Sequence, residues 1–73
     1  MIYQKIRDLR EDNDLSQSYI GKILNVDQRT YSSYERGSRA ISVEALSKLA
    51  DFYGTSVDYL IGRTNIKKPY PKP

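Results

Sequence analysis

Between Leu15 and Gly37, LSQSYIGKILNVDQRTYSSYERG, two helix starts and two helix stops are packed into one short stretch. Ser16 can cap the first helix, its hydroxyl accepting a first-turn amide. Leu15 and Ile20 have the spacing of a hydrophobic staple across that cap. Ile20, Ile23 and Leu24 recur at helical spacing as an inward stripe. Asn25 tolerates the left-handed backbone that ends a helix. Asp27 caps a second helix, Val26 and Tyr31 repeat the staple, and Gly37 stops it after Arg36. The chain here is restricted to two helices of about two turns each, joined by roughly three residues, a helix-turn-helix.

The flanking segments read as further helices. Ile2, Ile6 and Leu9 give one apolar stripe to a helix from Ile2 to Glu11, which Asp12-Asn13-Asp14 breaks with turn-forming side chains. Those acids with Ser16 alternate as calcium ligands would. A calcium loop, however, needs glycine and glutamate where this chain has Gln17 and Ile23, so calcium is excluded. Ile41, Ser42 and Leu46 repeat the staple and cap a third time. Val43, Leu46, Leu49, Ala50 and Tyr53 mark the inward stripe of a fourth helix, with Ala45 a small packing contact, and Gly54 ends it. Ser56 caps a fifth helix running through Ile61, and Gly62 ends that one. No stretch alternates with period two. The expected architecture is all-α, five short helices around one core, with residues 1–63 as one domain. Residues 64–73 form a flexible, basic, proline-rich tail.

Composition removes most catalytic chemistry. The 73 residues contain neither cysteine nor histidine, which excludes disulfides, thiolate metal sites and the usual neutral-pH base. The glycines at 21, 37, 54 and 62 have no phosphate-loop spacing. No enzyme activity, metal or cofactor is expected. Tyr3, Tyr19, Tyr31, Tyr34, Tyr53 and Tyr59 lie on or beside apolar stripes, as core or rim residues rather than stacking platforms. With no apolar run of about 20 residues and no signal-peptide pattern, a soluble cytoplasmic protein, associated with the nucleoid, is expected and no membrane partner. The net charge of +3 is not concentrated on the second helix of the pair: Arg63, Lys67, Lys68 and Lys72 of the tail supply the excess.

The outward face of that second helix carries Gln28, Arg29, Ser32, Ser33 and Arg36, with no carboxylate among them. Glutamine pairs bidentately with adenine, arginine with guanine, and serine adapts to either. Gln28, Arg29, Ser32 and Ser33 are therefore the candidates for reading base edges of double-stranded DNA.

Leu15 to Gly37 resembles the helix-turn-helix of the phage repressor and Cro-like (XRE) family of DNA-binding proteins. The marks are Ser16-Gln17 at the opening, Asn25-Val26 at the corner, Tyr34-Glu35-Arg36-Gly37 and the Ser56 to Gly62 stretch SVDYLIG. The similarity runs from about Ile2 to Gly62. One departure is Gly21, where the family usually has alanine; glycine forgoes up to about 1 kcal/mol of helix propensity but keeps the close approach that a small residue serves. The resemblance implies a repressor-like bundle that acts as a transcriptional regulator, probing the major groove with helix 28–36. It implies phosphate contacts from Ser16 and Gln17 at the start of the preceding helix and from Arg36 and Arg39. It also implies an ion pair between Arg10 and Glu35, and a homodimer on DNA with Val57, Leu60 and Ile61 as candidate contacts. The alternatives on the same fold are an antitoxin or immunity component with a protein partner, a pure protein-interaction module, and an RNA binder, the last disfavoured by the narrow RNA major groove.

Overall fold

The computed structural model of the protein describes residues 3–68. The element order is α1 (Gln4–Asp12), α2 (Gln17–Leu24), α3 (Gln28–Arg36), α4 (Val43–Tyr53) and α5 (Val57–Leu60), with no strand among the described residues. Four of the five helices begin in one way. The side chains of Ser16, Asp27, Ser42 and Ser56 accept from the amides of Tyr19, Thr30, Ala45 and Tyr59 at 3.0, 2.7, 3.1 and 3.1 Å. Each bond satisfies an amide that a helix start leaves without a partner. Helix α1 is the exception: Tyr3 precedes it without a side-chain cap. Its far end is closed instead by Asn13 Nδ2, which donates to the Leu9 carbonyl at 2.7 Å, and by Asp14 in the left-handed region. Ile2, expected in this helix, and Lys72 of the tail lie outside the described residues.

The stripes converge on a core of Ile6, Leu9, Ile20, Leu24, Tyr31, Leu46, Leu49, Ala50 and Leu60. The staple residues Leu15, Val26 and Ile41 pack against it half-buried. Helices α2 and α3 make the most extensive pairing, α4 packs on α5 and α2, and α1 reaches both α5 and α3. Lys5 adds a tie from α1, its Nζ lying 4.9 Å from the centre of the Tyr59 ring.

Two expectations are corrected. Val43, the first residue of α4, is 69% exposed and belongs to no stripe. Leu60, expected to contact a second subunit, is fully buried in the domain's own core, so it has no surface to offer a partner. Val57 and Ile61 are half-buried at the edge of that core. The fifth helix also stops one residue early, Ile61 being its C-cap.

The corner between α2 and α3 is tight. Asn25 takes the left-handed conformation (φ 60°, ψ 40°), and the Val26 amide donates to the Gly21 carbonyl at 2.8 Å. A Cβ on Gly21 would stand 2.9 Å from the Val26 carbonyl oxygen, inside ordinary contact distance. The glycine therefore allows a closer turn than alanine could without a backbone shift.

The start of the tail is not free of the domain. Thr55 is buried, and its hydroxyl donates to the Lys67 carbonyl. Residues 64–68 have no regular structure, yet a buried hydroxyl needs a partner, and this segment supplies it.

Candidate nucleic-acid interface

Helix α3 is positioned by its inward side chains. Tyr31 is fully buried, with Tyr34 packed edge-on against it at 6.3 Å between ring centres. Turning the helix so that Tyr31 faces the core leaves Arg29, Ser33 and Arg36 facing outward. Gln28 and Arg29 are exposed and make no side-chain hydrogen bond among the described residues. Ser32 and Ser33 are half-buried and already engaged. The Ser33 hydroxyl donates to the Thr30 carbonyl at 2.6 Å, and Arg36 Nη1 donates to the Ser32 hydroxyl. Of the four residues expected to face bases, two are therefore unencumbered forks; Ser33 keeps only accepting capacity, while Ser32, an acceptor from Arg36, retains its own hydroxyl hydrogen to donate.

The root of α3 is tied to α1 and α2 through Glu35. Arg10 Nε and Nη2 donate to its two carboxylate oxygens at 2.6 and 3.0 Å, a bidentate pair. Arg10 Nη1 also donates to the Leu15 carbonyl at 2.9 Å, just ahead of α2. Gln17 Nε2 donates to Glu35 Oε1 at 3.1 Å. The side chains of Arg10 and Glu35 are only 13% and 5% exposed. Burial disfavours ionised Glu35, but the hydrogen bonds from Arg10 and Gln17, with Tyr31 close by, outweigh it and hold the carboxyl below its ordinary value. The hydrogen bonds from Arg10 raise the guanidinium in turn. The hydroxyls of Tyr31 and Tyr53 are buried without a well-formed hydrogen bond, although Tyr31 sits near enough to Glu35 to favour its charge.

Ser16 spends its hydroxyl on the cap and lies 3.2 Å from the Ser18 hydroxyl. At the other end of the motif Asp27, Arg29 and Arg39 come together. The Thr30 amide holds the Asp27 carboxyl below its usual value, and Arg29 and Arg39 add attraction. A cleft of about 280 Å³ opens here, lined by Arg29, Thr30, Ser33, Arg36, Ser38 and Arg39. Thr30 and Ser38 were not singled out from sequence. A second cleft, of about 560 Å³, lies where α1, α2 and α3 meet, and Gln4 and Arg7 of α1 line it with Arg10, Gln17, Glu35 and Arg36. The signal for Arg7 was its place three residues before Arg10, one helical turn along the same flank. Among the described residues no cluster of His, Cys, Asp or Glu could hold a metal ion, and no helix is long and apolar enough to cross a membrane.

Residues 6–60 match the helix-turn-helix family model. The chain is 40% identical over 68 residues to the cryptic phage CTXphi transcriptional repressor RstR of Vibrio cholerae, covering 90% of this chain and 61% of that protein. It is 36% identical over 72 residues to the transcriptional regulator AnsR of Bacillus subtilis, covering 99% of this chain and 62% of that one. This chain thus spans about three fifths of the length of the curated relatives it matches. A solved transcriptional regulator from Listeria innocua superposes with a TM-score of 0.79 at 29% identity, covering 85% of this chain and 58% of that chain. Five helices, four of them begun by a side-chain cap, the αL corner at Asn25 and this match over most of the domain lead to one conclusion: the chain belongs to the helix-turn-helix family, of the phage repressor and Cro-like type.

Proposed function

We propose that the protein is a sequence-specific double-stranded DNA-binding transcriptional regulator, a repressor, that reads the major groove with α3. The observation that carries this is the first turn of α3, where Gln28 and Arg29 stand exposed and unbonded at the position where helix-turn-helix proteins meet base edges. Each can make paired hydrogen bonds that depend on base identity. Ser32, with its hydroxyl hydrogen free, and Ser33, as an acceptor, complete the reading face.

Backbone contacts hold register without reading sequence. Gln17 is suited to such a contact, because one amide hydrogen is fixed on Glu35, which orients the other toward the surface. The free amides beside Ser16 at the start of α2, together with Arg36 and Arg39, supply the remaining phosphate donors. Two domains on adjacent half-sites would meet through Val57 and Ile61. Work on duplex DNA sets the cytoplasm as the protein's place of action. The antitoxin alternative would use the same DNA face and differs only in a protein partner.

The test is a binding panel of single-base-pair variants of a site selected from random duplexes. Arg29→Ala or Gln28→Ala should weaken the best site by roughly 1–3 kcal/mol and relax preference at one base pair. Arg39→Ala should weaken all duplexes about equally. If the two α3 variants weaken every duplex alike, α3 does not read sequence.

A further inference from the structure

The cleft at the junction of α1, α2 and α3 has no aliphatic lining residue. Its floor is the Arg10–Glu35 pair with Gln17 bonded to the same carboxylate. Glu35 is thus neutralised from within, and Arg7 and Arg36 leave the cleft with a surplus of two positive charges. Their donors are available. Arg7 meets Glu11 only through Nε at 3.3 Å, and both side chains are more than half exposed, so this surface pair is cheaply exchanged. Arg36 uses Nη1 on Ser32 and no other nitrogen. The second amide hydrogen of Gln17 completes a set of donors from three helices.

We infer that Arg7 of α1 is a further phosphate-binding residue, which joins Gln17 and Arg36 across this cleft on one phosphodiester of the DNA backbone. The inference rests on the DNA-binding function proposed above. Its geometric basis is the pair of cationic clefts along α3. Arg36 lines both, while Glu35 borders one and Thr30 the other. Those two residues are about 140° apart around a helix of 3.6 residues per turn. A helix lying in the major groove has a phosphate backbone on each side, so two clefts on two flanks match the two groove walls. Helix α1 then takes part directly in binding, as well as serving as scaffold.

The experiment compares wild type, Arg7→Gln and Lys48→Gln on the selected duplex and its single-base-pair variants, across a range of salt concentration. Lys48 is exposed on α4, lines neither cleft and carries the same charge change. Arg7→Gln should shallow the slope of log affinity against log salt by about 0.9 and leave the order of preference among variants unchanged. Lys48→Gln should keep the wild-type slope. An unchanged slope in Arg7→Gln overturns the inference while leaving sequence reading by α3 intact. An equal loss in both variants also overturns it, because the effect is then net charge alone. Saturable binding of inorganic phosphate that depends on Arg7, with no change in the duplex slope, reassigns the cleft to a free phosphate compound. A wild type that binds no duplex removes the DNA function and this inference together.

Discussion

Gly21 answers two demands of unequal size. Alanine would recover up to about 1 kcal/mol of helix propensity, but its Cβ would press on a backbone carbonyl at 2.9 Å. Backbone at a hydrogen-bonded corner does not yield easily, and overpacking of this kind costs about 1–3 kcal/mol. Gly21→Ala should therefore lower stability in urea unfolding despite better propensity; an increase would show that the corner relaxes freely. Sequence supplied the need for a small residue here, but not the distance, because propensity describes a residue's own backbone and not what faces it. Val43 shows the same limit, since spacing fixes an angle around the helix axis but not whether another element lies there. Tyr53 is legible only in part: its stripe places the ring inside, while its unpartnered hydroxyl is a matter of three-dimensional surroundings. Burial chiefly pushes that hydroxyl from 10.0 up to about 12, with Glu35 adding and Arg10 opposing. A raised value favours the folded state below the ordinary tyrosine range, and that stability is lost as pH rises toward about 12. Tyr53→Phe should then be neutral or stabilising by up to about 1–3 kcal/mol near neutral pH, with less loss in alkali. Clear destabilisation at pH 7 would mean the hydroxyl has a partner.

Among the elements, α3 depends on α1 and α2 for its aim, through the buried Tyr31 and through the polar links gathered on Glu35. Arg10 grips the carboxylate from α1 and the Leu15 carbonyl at the mouth of α2, so one guanidinium sets both helices against α3. The starts of α2, α3, α4 and α5 were legible because each is written in cap chemistry within a turn of where it acts, whereas the uncapped start of α1 and the end of α5 were not. The Arg10–Glu35 pair was legible only through family resemblance, since 25 residues separate the partners and no local rule connects them. The part of Gln17 in it was not legible at all: from sequence its amide looked committed to phosphate. Removing one partner from a buried pair costs up to about 3–5 kcal/mol, so Arg10→Met and Glu35→Gln should each destabilise. The double variant should fall short of their sum by roughly 0.5–3 kcal/mol; additivity in thermal or urea unfolding would make the two independent. The sign with pH follows from the lowered Glu35 value. Its stability is present above the ordinary carboxyl range and is lost as pH falls through the lower folded-state value. Acid unfolding of Glu35→Gln should consequently be less steep than that of wild type.

For the whole molecule, charge is divided by face. Arg29, Arg36 and Arg39 gather along α3, whereas α4 and α5 carry Glu44, Asp51 and Asp58 against Lys48. The domain is thus oriented toward a polyanion despite a modest net charge of +3, and the tail's lysines are not needed to explain the attraction. Composition placed the basic excess in the tail, and only folding shows that its first residues have a structural role. The buried Thr55 hydroxyl donates to the Lys67 carbonyl, so deleting residues 64–73 leaves a buried donor with no partner. That loss amounts to about 1–3 kcal/mol. In a Thr55→Val background no donor remains to be orphaned, and the same deletion should cost clearly less. On DNA, the deletion should leave the salt dependence of binding unchanged, because the proposed phosphate donors lie on α1, α2, α3 and the loop at Arg39. Unfolding of the four proteins, with and without the tail and the hydroxyl, isolates the structural part. The salt slope of the two chains retaining Thr55 isolates the electrostatic part. A slope shallower by about one unit per lysine removed, with additive stability effects, would instead make the tail an arm on the DNA backbone.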